Sequence, residues 1–341
     1  VVEEGVMTAE YVVGADPLTF FQTGSKFVHD LFVGPYGIIT MALTYAIAIV
    51  LPVVVTFFIF FGLLEDSGYL PRLAVMLNRL FRLMGLNGKA VLPMVLGLGC
   101  DTMATLTTRI LETKKERVIV TLLLALGIPC SAQLGVIMAM LGLLNPLATM
   151  IWLGVVGGTI FLVGALSSQL LKGQASDFIM ELPPIRTPKI GNILVKVMAR
   201  LEWYLKEAVP LFVVGTLVLY VFDLTGLLKV FQRAISPLVV GMLNLPVEAA
   251  NAFLIGFLRR DYGAAGLFMM QRDGALDPIQ TVVSLSVITL FIPCIANFFM
   301  MIKERGWKPA LWMTMFIIPY AFGIGWMLDT VLRALNVNLA G

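Results

Sequence analysis

The stretch Val91-Leu92-Pro93-Met94-Val95-Leu96-Gly97-Leu98-Gly99-Cys100-Asp101 opens as an apolar helix and is then broken at Pro93, Gly97 and Gly99. A thiol and a carboxylate follow the break. At membrane depth a Gly or Pro frees backbone carbonyls, which protein, water or an ion must satisfy. A thiol beside them adds a polarizable ligand. The same arrangement recurs at Ile128-Pro129-Cys130-Ser131 and at Ile292-Pro293-Cys294-Ile295. All three cysteines of the chain thus follow a helix breaker in or beside a long apolar run. The pattern reads as an interrupted-helix site for a small cation, a common way for transporters to build a binding site.

Composition sets the environment. The chain has 341 residues, of which 59% are hydrophobic and 13% charged. Soluble domains are about 25% charged, so this chain reads as an all-α integral membrane protein. Its length suits about eight helices of about 20 residues. The net charge of +3 is spread over loops, forms no nucleic-acid stripe and fits retention of basic residues on the cytoplasmic face. An odd number of cysteines in apolar surroundings argues against a disulfide framework. His29 is the only histidine, which argues against a histidine-based zinc or haem site. The chain begins at Val1 with no initiator Met and no signal-peptide pattern, so we expect a longer product or a processed end.

Residues 1–35 read as an amphipathic N-terminal segment and about 36–64 as a first span. Residues 71–83 read as an amphipathic surface helix. Further spans are expected at about 118–142, 147–171, 208–228, 279–301 and 310–336, with 172–207 as the longest polar connection. Segments 91–111 and 247–270 are apolar but broken, the second at Arg259-Arg260-Asp261. Lys and Arg concentrate in 65–90, 109–117, 172–206 and 303–308. The positive-inside rule places all four stretches on one face only if 91–111 and 247–270 are re-entrant. A weak repeat supports two halves. An acidic break at Glu65-Asp66 precedes Cys100, another at Asp261 precedes Cys294, and Lys-Glu-Arg follows each cysteine at 115–117 and 303–305.

Four constellations are candidates for chemistry. Asp101, Thr105 and Thr108 fall at i, i+4 and i+7, which puts a carboxylate and two hydroxyls on one helical face. Asp101 reads equally as a helix cap. After Pro129, Ser131 and Gln133 stand ready to satisfy freed backbone groups, and a packed kink is the simpler reading of Cys130. Cys294 and Asn297 share a helical face, with Met300 and Met301 beyond them as soft ligands or filler. Glu65-Asp66 and Asp261 read as structural, with Asp261 pairing to Arg259 or Arg260, and otherwise as parts of a gate. Gly85-Leu86-Asn87-Gly88-Lys89-Ala90 lacks the glycine spacing and the hydroxyl of a phosphate loop, so no nucleotide site is read here.

Leu64-Glu65-Asp66-Ser67-Gly68-Tyr69-Leu70, Gly97-Leu98-Gly99-Cys100 and Thr108-Arg109-Ile110-Leu111-Glu112 resemble the first gate region of FeoB-type ferrous iron transporters. Phe178-Ile179-Met180-Glu181-Leu182-Pro183 resembles the connector of that family. Pro293-Cys294-Ile295-Ala296 with Lys303-Glu304-Arg305-Gly306-Trp307 resembles its second gate region. Asp101-Thr102-Met103-Ala104 departs from the usual Asn-Val-Pro-Ala after the first cysteine. Pro129-Cys130-Ser131-Ala132-Gln133-Leu134-Gly135 departs from the usual Ser-Cys-Gly/Ser-Ala-Arg-Leu-Pro.

The resemblance implies two gate-type repeats, 36–207 with the connector and 208–341. It implies Fe2+ transport across the cytoplasmic (inner) membrane by a multi-pass permease core. The implied metal site is Cys100, Asp101, Cys130, Cys294 and Asn297, lined by Thr105, Thr108, Ser131, Gln133, Glu65, Asp66 and Asp261. The alternative cargo is Mn2+ or a nucleoside. The chain itself is expected not to be an enzyme, since the GTP-binding domain of the family would be fused upstream or supplied in trans. A small cytoplasmic Feo accessory protein and a second copy of the chain complete the partners that the resemblance implies, besides the lipid bilayer.

Overall fold

The computed structural model describes residues 47–48, 51–171, 188–291, 293–335 and 339. The N-terminal segment 1–35 with His29, and the connector motif at 178–183, lie outside the described residues. Every regular element among the described residues is helical.

Helix α1 (Leu51–Asp66) stops at Ser67-Gly68, where Gly68 takes φ 75°, a left-handed conformation that costs glycine little. The chain bends by 80° into α2 (Tyr69–Leu83). This is the expected amphipathic helix, with Leu70, Ala74 and Phe81 buried. A short 3-10 turn at Gly88–Ala90 leads into α3 (Val91–Gly97). The break at 98–100 follows, then α4 (Asp101–Thr107) and a second 3-10 turn at Thr108–Ile110. Two seven-residue helices are far short of the about 20 residues that a membrane crossing needs. The 91–111 segment is therefore broken as its glycines imply. Gly99 also permits close packing, since a Cβ there would lie 2.4 Å from the Phe57 ring.

Helix α5 (Lys114–Gly127) starts on a capping box between Thr113 and Glu116. It breaks at 128–130 and resumes as α6 (Ser131–Leu141). Asn145 caps α7 (Pro146–Leu170), with Pro146 at the first helical position, where a missing N–H costs nothing. Helix α8 (Ile190–Leu224) corrects the sequence expectation that 172–207 is a polar connection. From Ile190 onward the chain is one 35-residue helix that runs through Pro210 and across the expected boundary at 207/208. Helix α9 (Leu227–Leu243) was not anticipated at all.

Helices α10 (Val247–Leu258) and α11 (Arg260–Arg272) meet at Arg259 and fold back on each other. A Cβ on Gly263 would lie 2.5 Å from the Gly256 Cα and 2.6 Å from the Ala252 carbonyl oxygen. Backbones seven and eleven residues apart in sequence touch this closely only where the chain reverses. This segment is a helical hairpin with Arg259 and Arg260 at its tip. Helix α12 (Pro278–Leu290) is broken before α13 (Ile295–Arg305), and α14 (Trp307–Ala334) closes the described chain.

Among the described residues, four helical segments are long and apolar enough to cross a membrane: Lys114–Leu141, Pro146–Leu170, Pro278–Arg305 and Trp307–Ala334. The bent pair α1–α2 would make a fifth.

The four basic stretches are tied to one another. Lys89 pairs with Glu112 at 2.5 Å, and Arg109 with Glu304 at 2.5 Å. Lys196 pairs with Asp66 at 2.5 Å and Arg200 with Glu65 at 2.6 Å. These bonds run from 303–308 through 109–117 and 65–90 to 196–200, so the stretches share one end of the molecule. The hydrogen bond to Asp66 holds the Lys196 ammonium above its usual pKa. Glu65 and Asp66 thereby anchor α8 to the bend after α1.

Candidate functional site

Each of the three cysteines is the N-cap residue of a half-helix. Cys100 precedes α4 with φ −154°, ψ 116°, Cys130 precedes α6 with φ −72°, ψ 162°, and Cys294 precedes α13 with φ −58°, ψ 156°. An N-cap residue carries extended backbone while the helix begins behind it. Each thiol therefore faces the first-turn N–H groups: Met103 for Cys100, Gln133 for Cys130 and Asn297 for Cys294. None closes a side-chain cap hydrogen bond. The three sulfurs stand at the N-terminal, positive ends of the half-helices.

The carbonyls freed at one break are satisfied by side chains from another. Ser131 donates from its hydroxyl (3.1 Å) and its backbone N–H (3.4 Å) to the Gly99 carbonyl of the first break. Gln133 donates from Nε2 to the Ile288 carbonyl at the end of α12, at 3.2 Å. The expectation that Ser131 and Gln133 serve freed backbone groups holds, and the groups belong to the neighbouring breaks. At the second break, Ala125 and Ile128 offer their carbonyls to Arg260, at 2.5 and 3.0 Å. Ile128 is at the middle of the 28-residue segment Lys114–Leu141.

Arg260 also donates from Nη1 to Asp101 Oδ2 at 2.8 Å, and both side chains are 3% exposed. This corrects one sequence reading and bears out another, the pairing of Asp261 with Arg259 or Arg260. Asp101 is not the cap of α4, since Cys100 is the N-cap residue and Asp101 occupies the first helical position. Asp261 pairs with Arg259 (2.9 Å), whose guanidinium also stacks over Tyr262, and leaves Arg260 to the core. A pointer to Arg260 was present in the chain. A carboxylate inside a bilayer demands a cationic partner, and Arg260 lies in the other broken apolar segment.

Asp101, Thr105 and Thr108 do not act as one line. Thr105 donates to Asn297 Oδ1 at 2.8 Å, which joins α4 to α13. Thr108 lies where the helix tightens into a 3-10 turn; it donates to the Thr105 carbonyl at 2.6 Å and accepts from Arg305. Met300 and Met301 are fully buried, as packing residues are.

The three breaks lie near one another. Cys130 lies near Asp101, Arg260 and Cys294, and Cys294 near Arg260, Cys100 and Asp101. Three buried polar atoms here lack a hydrogen-bond partner among the described residues: Asp101 Oδ1, Gln133 Oε1 and Asn297 Nδ2. Buried polar groups are rarely left unpaired without a reason. Among the described residues no three His, Cys, Asp or Glu side chains converge on a point where a metal ion would be held. The donors lie at or beside the helix breaks without forming a closed coordination shell among the described residues.

Comparison with known proteins follows the same residues. A family model described as Gate, nucleoside recognition, matches residues 47–144 and 205–308. A second, described as the ferrous iron transport protein B C terminus, matches 149–200. The chain is 28% identical over 291 residues to the Fe(2+) transporter FeoB of Staphylococcus aureus (strain COL), covering 77% of this chain and 44% of that protein. It is 26% identical over 323 residues to the Fe(2+) transporter FeoB of Methanocaldococcus jannaschii, covering 84% and 48%. A Porphyromonas gingivalis protein named Fe(2+) transport protein A/Fe(2+) transporter FeoB fusion protein is 29% identical over 216 residues, covering 61% and 24%. The chain thus spans less than half the length of these relatives. No solved structure matches it. The gate model covers more than half of the chain, so the chain belongs to the gate family, and its sequence is that of the membrane region of a FeoB-type transporter.

Proposed function

We propose that this chain carries Fe2+ across the cytoplasmic membrane as the multi-pass permease core of a FeoB-type importer. The observation that carries the reading is the placement of Cys100, Cys130 and Cys294 at the N-caps of three half-helices whose breaks brace one another. The relatives are named Fe(2+) transporters, which favours Fe2+ as cargo. One gate model matches two stretches, which favours two related halves with the path between them.

Fe2+ is of intermediate softness and accepts thiolate, carboxylate and carbonyl ligands. Cys100, Cys130 and Cys294 would supply sulfur, Asp101 and Asn297 oxygen, and Thr105, Thr108, Ser131 and Gln133 the polar lining. Each thiol must release its proton to take the metal. The donors have to close around the ion as it arrives, so binding is transient, as transport requires. Energy coupling belongs to a GTP-binding domain fused upstream or acting in trans. It docks on the basic end, which faces the cytoplasm under the positive-inside rule. The fusion relative favours a small Feo accessory protein as a further partner.

The test is Fe2+ uptake into proteoliposomes holding the full chain with its GTP-binding partner. Cys100→Ser and Cys294→Ser should each lower uptake by about tenfold or more, while insertion and melting temperature persist. Uptake at the wild-type rate in the double variant would refute the thiol path.

A further inference from the structure

The buried pair between Arg260 and Asp101 is not needed for a path that only passes a metal ion. A fixed positive charge at the carboxylate works against a cation. We propose that Arg260 is a tethered cation that occupies the Asp101 oxygen site and has to leave it before a divalent metal can bind there. The proposal rests on the Fe2+ reading above and deepens it: Arg260 decides when the site is open, and to which charge.

The geometry is that of an occupied cation site. The partners of the guanidinium include Asp101 Oδ2 at 2.8 Å, the Ile128 carbonyl at 3.0 Å and the Ala125 carbonyl at 2.5 Å. One carboxylate and two carbonyls freed by a helix break are the hard oxygens that a divalent cation selects. Two more buried oxygens near these breaks, Asp101 Oδ1 and Gln133 Oε1, have no hydrogen-bond partner among the described residues. Asp101 Oδ1 lies close against Gly97, where a Cβ would be 3.4 Å from it, and Gly97 is held glycine by Leu124, whose Cδ2 would be 2.5 Å from that Cβ. The site therefore holds more acceptor oxygen than the guanidinium uses.

The position of Arg260 suits release. It sits at the tip of the α10–α11 hairpin, while its acceptors belong to the first and second breaks. A small displacement of the tip would withdraw the charge from all three acceptors together. Removing one partner of a buried ion pair leaves the other charge uncompensated, which keeps the pair closed in the absence of metal. A monovalent ion offers Asp101 no more charge than Arg260 does. A divalent ion offers twice as much, so the exchange favours divalent cargo.

A purely structural Arg260, tying the second break together, makes a different forecast. Its loss would weaken the fold without improving metal binding. The experiment titrates the purified full chain in detergent with Mn2+, counted by electron paramagnetic resonance as a probe of hard oxygen ligands. Arg260→Gln should bind Mn2+ about tenfold tighter than wild type, since one ligand charge is uncovered. Arg260→Gln with Asp101→Asn should lose that gain. Equal or weaker Mn2+ binding in folded Arg260→Gln overturns the proposal.

A second measurement needs no substitution and decides the matter if that variant fails to fold. Arg260 of the wild-type chain should react with an arginine-directed dicarbonyl about fivefold faster in saturating Mn2+ than without it, as mapped by mass spectrometry. An unchanged rate overturns the proposal. If wild type and every variant bind neither Fe2+ nor Mn2+, the cargo reading falls and takes this proposal with it. Fe2+ uptake together with unaltered Mn2+ affinity in Arg260→Gln overturns this proposal alone.

Discussion

Thr105 and Asn297 are 192 residues apart in sequence and share a hydrogen bond of 2.8 Å, with both side chains fully buried. The bond joins the helix after Cys100 to the helix after Cys294. It uses Asn297 Oδ1 and leaves Asn297 Nδ2 unpaired among the described residues. Thr105→Val keeps the shape of the side chain and removes the donor. The stranded amide oxygen should cost about 1–3 kcal/mol of stability, read as a lower melting temperature in detergent. Asn297→Ala should also lower Fe2+ uptake, by about tenfold to a hundredfold. Uptake at the wild-type rate in Asn297→Ala would make this residue a brace and not a ligand.

The α10–α11 hairpin depends on the crossing of Gly256 and Gly263. A Cβ at Gly263 would meet backbone atoms at 2.5 and 2.6 Å, which no rotamer change relieves. Gly263→Ala should therefore destabilise the chain by about 1–3 kcal/mol through overpacking and displace the Arg260 tip. Gly154→Ala is the control, since a Cβ there meets nothing within 4 Å. Melting curves of the two variants that coincide would show that the hairpin is not packed through its glycines.

The helix breaks were legible because Gly, Pro and Cys mark them locally. That Ser131 and Gln133 serve freed carbonyls was legible too, since such groups must find a donor. Which carbonyl each serves was not. Ser131 reaches Gly99, 32 residues away, and Gln133 reaches Ile288, 155 residues away, and no local rule encodes such pairings. The same limit hid the Arg260–Asp101 bond across 159 residues. Helix α8 was misread because its charges look like a loop. Lys196 and Arg200 instead face Glu65 and Asp66, and Lys206 pairs with Glu202 one turn away. Helix α9 was missed because Pro237 lies inside it and it carries Lys229 and Arg233, so no long apolar run announces it.

Nucleotide binding is expected to be absent from this chain on its own. The segment 85–90, the nearest approach to a phosphate loop, has its groups committed elsewhere. Gly88 N–H donates to Asn78 Oδ1, Lys89 N–H donates to Asn87 Oδ1, and the Lys89 ammonium is paired with Glu112. A phosphate would have to break all three, with no hydroxyl beside Lys89 to hold its magnesium. A fluorescent GTP analogue titrated into the purified chain should show no saturable signal. Saturable binding that unlabelled GTP displaces would contradict the assignment of coupling to a separate domain.

The membrane orientation makes the last prediction. Ion pairs join the four basic stretches at one end of the molecule, and the positive-inside rule puts that end in the cytoplasm. Arg79 lies on α2 and Lys189 just before α8, both in those stretches. Single cysteines at either position, in a chain lacking Cys100, Cys130 and Cys294, should resist an impermeant thiol reagent added to intact cells. Both should react once the membrane is permeabilised. Labelling of both from outside would invert the orientation and leave the re-entrant segments intact. Labelling of one alone would separate stretches that the ion pairs hold together, and would require 91–111 or 247–270 to cross the membrane fully.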